Sequence, residues 1–159
     1  MVQPGCSLQA NLLLKVTSFS PSGTKIVYEK IRNIDGEWII DVYVMEADGS
    51  NKTKLTNEFS AFNVGWSPNG KKIMFGKYYN NNLGDIEIGI MNKDGTQKEI
   101  LTERGAGLGS EFWTPDSQNI LYRKDGNLHM KNIRTQKTVQ ITNNENVNFV
   151  FDARMGPLY

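Results

Sequence analysis

Trp66-Ser67-Pro68-Asn69-Gly70, followed at once by Lys71-Lys72-Ile73-Met74-Phe75, decides how this chain is read, because the pattern occurs three times. Upstream it stands as Phe19-Ser20-Pro21-Ser22-Gly23 before Lys25-Ile26-Val27-Tyr28. Downstream it returns, weakened, as Trp113-Thr114-Pro115-Asp116-Ser117 before Asn119-Ile120-Leu121-Tyr122. The three prolines lie 47 residues apart. Proline fixes φ and glycine accepts positive φ, so the segment is a tight turn between two extended strands.

Further along each copy comes an alternating segment, the pattern of a half-buried strand: Asp41-Val42-Tyr43-Val44-Met45, Glu87-Ile88-Gly89-Ile90-Met91 and Asn127-Leu128-His129-Met130-Lys131. Asp48-Gly49 and Asp94-Gly95 then mark turns, and the pairs Leu55-Thr56, Leu101-Thr102 and Ile141-Thr142 close the three units. One unit is therefore four short antiparallel strands, a to d, with a connecting hairpin of variable length between b and c at 29–40, 76–86 and 123–126. A period of 40 to 50 residues with four strands per unit is the signature of propeller blades. The expected fold class is all-β: three complete blades per chain at about 12–57, 58–103 and 104–143, in a single propeller-type domain. Residues 144–159 are read as an incomplete fourth blade, with Val147 to Phe151 as its strand a, and Ser7-Leu8-Gln9 as a remnant of a strand d. No stretch holds apolar residues at helical spacing for three turns.

Aromatic-Ser-Pro-x-Gly, Lys-Ile-x-aromatic, Asp-x-Tyr-Val-Met-x-x-Asp-Gly and Leu-Thr together resemble the TolB-type, WD40-like (PD40-like) β-propeller repeat. The likeness runs from about residue 12 to 143 and is closest in the first two copies. In the third, Ser117 stands for the turn glycine and Arg134-Thr135 for Asp-Gly, so a looser turn is expected there. The resemblance implies a propeller of the kind found in periplasmic translocation proteins, secreted binding proteins and gating domains of serine peptidases; it does not fix a function.

Lys plus Arg total 18 against 17 for Asp plus Glu, which gives no electrostatic reason to expect nucleic acid or an anionic membrane. Cys6 is the single cysteine and has no internal disulfide partner. The strongly apolar run Leu12-Leu13-Leu14 is far short of the roughly 20 residues that span a bilayer, so no membrane insertion is expected. Met1 to Cys6 lacks the pattern of a secretory signal. The compartment stays open: periplasmic or secreted if a signal has been removed, cytoplasmic otherwise.

No catalytic set can be assembled. A nucleophile elbow needs Gly-x-Ser-x-Gly, which does not occur, and Ser110 in Gly105-Ala106-Gly107-Leu108-Gly109-Ser110 has no following helix to supply an anion site. His129, the only histidine, aligns with Tyr43 and Gly89 and reads as a structural or surface position. No Cys/His cluster suggests a metal, each Asp-Gly turn offers calcium only one carboxylate, and no cofactor is implied. Asp41 and Glu87 recur with the repeat, which points to a turn or strand-start role. Phe19, Trp66 and Trp113 also recur, and are expected to pack between neighbouring blades. Trp38, Tyr78 and Tyr79 do not recur; as aromatics on the variable hairpins they are candidate ligand or partner contacts. Asn63, Ser110 and Glu111, on strands a that line a propeller's central channel, are the other candidates.

The expectation is a non-catalytic binding or protein-interaction module whose ligand is unknown. The alternatives are an accessory or gating propeller of a hydrolase or peptidase, or a piece of a longer propeller. Closed propellers take four to eight blades. Three blades therefore point either to a homodimer completing a six-bladed ring or to such a piece.

Overall fold

The structure is a computed structural model, and it describes residues 13–57, 60–79, 82–106 and 112–143. Among them there is no helix; twelve strands form three antiparallel sheets of four. The first sheet holds β1 (Leu13–Phe19), β2 (Lys25–Ile34), β3 (Glu37–Glu46) and β4 (Thr53–Lys54) in that spatial order. The second holds β5 (Ala61–Trp66), β6 (Lys72–Tyr79), β7 (Asn82–Asn92) and β8 (Glu99–Ile100). The third holds β9 (Phe112–Trp113), β10 (Asn119–Lys124), β11 (Asn127–Asn132) and β12 (Thr138–Gln140). These are propeller blades. The segments read as fourth-blade strand a and strand-d remnant lie outside the described residues.

The register repeats with the sequence. Ile26 stands opposite Met45, Ile73 opposite Met91 and Ile120 opposite Lys131. Two residues on, the cross-strand pairs are Tyr28 with Tyr43, Phe75 with Gly89 and Tyr122 with His129.

Each turn between strands a and b is closed by the hydroxyl that precedes the proline. The amides of Lys25, Lys72 and Asn119 donate to Ser20 Oγ, Ser67 Oγ and Thr114 Oγ1, each at 3.0 Å. Contrary to expectation, the third of these turns is not loose. Ser117 takes the glycine's conformation at φ 60°, its amide donates to Thr114 O at 2.8 Å as Gly23 and Gly70 do to Ser20 O and Ser67 O, and its hydroxyl accepts from Asn69 N at 3.0 Å. A small polar residue tolerates the left-handed region when its side chain has a bond to make. The turn from c to d is the one that changes: Gln136 N donates to Asn132 O, one residue further than the Gly49-to-Glu46 and Gly95-to-Asn92 bonds.

Strand d is only two or three residues long, and the closing threonine extends its work. Val42, Ile88 and Leu128 donate their amides to Thr56, Thr102 and Thr142 Oγ1 at 3.0, 2.9 and 3.0 Å, so the threonine hydroxyl satisfies a strand-c amide where the ladder has ended.

The core lies between sheets. Val27, Val42, Val44 and Leu55 of the first sheet and its closing segment join Trp66, Ile73, Phe75 and Met91 of the second in one buried cluster. Met74, Ile88, Ile90 and Leu101 on the far side of the second sheet join Ile120 and Tyr122 of the third, with Trp113 packed against them. Each such side chain contributes about 1.5–3 kcal/mol on burial. Trp66 and Trp113 thus pack backward onto the preceding sheet as expected. Phe19 does not: it is 57% exposed, because the described residues place no sheet behind the first.

Candidate functional site

Two places on this frame carry chemistry that the repeat alone does not require. The first is the ribbon of β2 and β3. The segment 29–40 is expected from sequence to be a connecting hairpin; it is instead continuous ladder, paired from Lys25 with Glu46 out to Ile34 with Glu37. Only Asp35 and Gly36 turn, at φ 52° and 88°, the left-handed pair that matches strand twist, and Asn33 Oδ1 accepts from Gly36 N at 3.1 Å. Ile31 and Asn33 face Ile40 and Trp38 across this ladder, so the non-periodic segment is strand on both sides of the turn. Trp38 therefore sits on β3, opposite Asn33, and is 50% exposed, with Ile34 also exposed beside the turn.

The base of this ribbon is held by charge. Asp41 is buried, and its carboxylate takes Arg32 Nη2 at 2.5 Å and Lys54 Nζ at 2.9 Å. A carboxylate at that depth is tolerable only when paired. Asp41 and Glu87 lie well inside β3 and β7, so their recurrence marks a mid-strand position and not a turn or strand start. Ser60 Oγ accepts from Ile40 N at 3.3 Å, tying the ribbon to the segment that enters the second sheet.

Asn63 lies on β5 at a bulge, between Phe62 and Gly65, with φ 50°. Its Oδ1 accepts from Lys15 Nζ at 3.5 Å, and Lys15 also lies 3.6 Å from the buried Glu29. Glu29 Oε1 has no hydrogen-bond partner. Tyr78 and Tyr79 end β6 opposite Ile86 and Asn82, again on strand where a loop was expected. Ser110 and Glu111 lie outside the described residues. The candidates thus fall on separate elements, Trp38 on the first sheet's ribbon, the tyrosines on the second's, and Asn63 on the second's first strand.

The second place is a cleft of about 370 Å³ between the second and third sheets, lined by Glu103, Tyr122, Lys124, His129, Lys131 and Thr138, among others. Tyr122 and His129 stack at 5.5 Å. Lys124 Nζ donates to Glu103 Oε2 at 3.0 Å; that bond holds the Glu103 carboxyl below its ordinary range and raises the Lys124 ammonium. Burial pushes the Tyr122 phenol up. Sequence reading missed this cleft, although its signal was present: Phe75, Gly89 and Met91 align with Tyr122, His129 and Lys131.

The aspartates of the turns are occupied with the turns. Asp48 Oδ1 accepts from Ser50 N and Oγ, and Asp94 Oδ1 from Thr96 N and Oγ1, which lowers both carboxyls. Among the described residues no three of His, Cys, Asp and Glu converge.

Comparison with solved structures places this geometry in a known class. A putative TolB from Agrobacterium tumefaciens matches with TM-score 0.63 and 20% identity, over 82% of this chain and 49% of that one. The β-propeller domain of the Trilobed protease from Pyrococcus furiosus matches with TM-score 0.62 and 17% identity, over 82% and 41%. The fold is a TolB-like β-propeller arrangement. An uncharacterized peptidase, YuxL of Bacillus subtilis (strain 168), is 24% identical over 107 residues, which span 65% of this chain and 16% of the peptidase. No family model matches the chain. The chain thus spans about half the length of the TolB it resembles and a small part of the peptidase.

Proposed function

We propose that this chain is a non-catalytic binding module of the TolB-like propeller type, and that the β2–β3 ribbon of the first sheet carries the contact. The observation that supports this most is the tip of the ribbon. Trp38 and Ile34 stand exposed on a continuously paired two-stranded element whose base is held by the Asp41 ion pairs. An exposed tryptophan on a preorganised strand provides contact area at little entropic cost. Selection of peptides from a displayed library on the immobilised chain is the direct test. Enriched peptides are expected to lose binding to Trp38→Ala at unchanged melting temperature, and peptides that bind both forms alike overturn the ribbon assignment.

A second reading, an accessory or gating propeller of a peptidase, is favoured by the similarity to the peptidase named above. An accessory propeller, like a binding module, turns over no generic ester or peptide substrate on its own, so turnover abolished by His129→Ala would overturn both readings in favour of an enzyme. Altered substrate selection by a peptidase catalytic domain supplied together with the chain would favour the accessory reading.

A further inference from the structure

We infer that the cleft between the second and third sheets is a binding site for a small organic carboxylate, with Lys131 as its charge partner and Ile100 and Leu101 as the wall for its apolar body. The site is separate from the contact ribbon of the first sheet.

The difference between the two internal junctions carries the inference. Where the second sheet faces the first, it presents Phe75 and Met91, both fully buried, and Gly89. At the same register the third sheet presents Tyr122, Lys131 and His129 to the second. Blade packing asks for apolar side chains at these positions, so the fold does not account for the lysine. A partly desolvated charge costs free energy unless an opposite charge meets it. Among the described residues no hydrogen bond or ion pair takes up the Lys131 ammonium, which acts on the Glu103 carboxyl from a longer distance.

The cleft has room for a guest. Its volume of about 370 Å³ falls within the roughly 300–1,000 Å³ of small-ligand sites. The wall from the second sheet is the run Ile100 to Glu103, and two bonds cross the junction at the ends of that run. Gln136 Nε2 donates to Glu99 Oε1 at 2.8 Å, and Lys124 Nζ to Glu103 Oε2 at 3.0 Å. The two sheets are thus tied at both ends of the wall.

Charge sets the class of ligand. Glu103 offsets Lys124, which leaves the single charge of Lys131 to match a monoanion. Thr138, opposite Lys131 on β12, brings its hydroxyl to the Tyr122 phenol. Burial raises that phenol and the Thr138 hydroxyl opposes the rise, so the pair offers neutral hydrogen-bonding groups beside the ammonium. Exposed Ile100 and buried Leu101 supply the apolar surface. A singly charged head on a compact apolar body meets all three features. A dianion would bring its second charge against Glu103 with no cation to receive it.

Amide NMR of the full chain at low ionic strength tests the site, with benzoate and hexanoate as probes and benzamide and hexanamide as their uncharged counterparts. Saturable shifts are expected at Leu101, Thr102, His129, Lys131 and Thr138 with at least one carboxylate, and binding about tenfold weaker, or none, with its amide. Lys131→Met, which installs the second sheet's residue, should keep the dispersion of the spectrum and weaken binding about tenfold. If it fails to fold, Lys131→Gln takes its place. Glu103→Gln should tighten binding, because it removes the carboxylate that competes for Lys124. Trp38→Ala should leave carboxylate binding unchanged, which separates this site from the ribbon. The site is overturned by the absence of saturable shifts with either carboxylate, by shifts confined to other surfaces, or by equal binding of acid and amide. Inorganic phosphate that binds as tightly as the better carboxylate, or a Lys131 variant that binds like the unsubstituted chain, overturns it as well.

Discussion

The two internal junctions share a backbone register and differ in what fills them. Between the first and second sheets, Phe75 lies fully buried over Gly89, so closely that a Cβ on that glycine would stand 2.5 Å from Phe75 Cζ and 2.9 Å from Glu99 O. Between the second and third, the corresponding pair is Tyr122 stacked on His129, with Lys131 where Met91 stands, and a cleft bordered by Lys124 and Glu103 opens beside them. The first sheet carries the stacked version too, Tyr28 on Tyr43 at 5.5 Å. Turns and threonine bonds therefore set where the strands run. The side chains at a few cross-strand positions set whether a junction is a closed apolar contact or a charged cleft.

Truncating the closed junction is expected to cost most. Phe75→Ala should destabilise by about 3–5 kcal/mol in urea unfolding, the usual range for a large buried aromatic, and Tyr122→Ala by clearly less. Equal costs would mean that the second junction is as tightly filled as the first.

Gly89→Ala comes next, at about 1–3 kcal/mol for overpacking against Phe75 and the Glu99 carbonyl. In a Phe75→Ala background the added methyl meets less, so the two costs should fail to add. Strict additivity would show that the ring and the glycine do not share the space described.

Thr102→Val leaves the Ile88 amide without its acceptor, a loss of about 1–3 kcal/mol for a buried donor. Thr142→Val should cost less, because Thr142 closes the more exposed third sheet. A reversed order in thermal melts would contradict the burial gradient along the stack.

The smallest effect belongs to the cleft's ion pair. The folded-state carboxyl of Glu103 is depressed by Lys124, so its contribution is present above the unfolded carboxyl range and is lost as pH falls through the folded value. Glu103→Gln should therefore flatten a slight acid-side dependence of stability and leave neutral pH nearly unchanged, since exposed pairs contribute little.

The blade boundaries, the turns and the closing threonines were legible because Pro, Gly and Thr act locally, within a few residues of where they stand. The ribbon at 29–40 was misread because Asp35-Gly36, the only turn residues in it, were outweighed by its lack of periodic match to the other copies. Phe19 was misread for the opposite reason: its pattern matched, but burial depends on a neighbouring sheet that a strand's own sequence does not supply. The cleft stayed hidden because its polarity arises from three aligned positions on two strands, visible only once Tyr122 is known to face His129.

The central claim is that the strand-a aromatics of the second and third sheets, Trp66 and Trp113, pack backward onto the sheet before them. Nuclear Overhauser contacts from the Trp66 indole ring test it most directly. The account predicts cross-peaks to methyl groups of the first sheet's cluster, Val27, Val42, Val44 and Leu55. Cross-peaks confined to residues of the second sheet would contradict it.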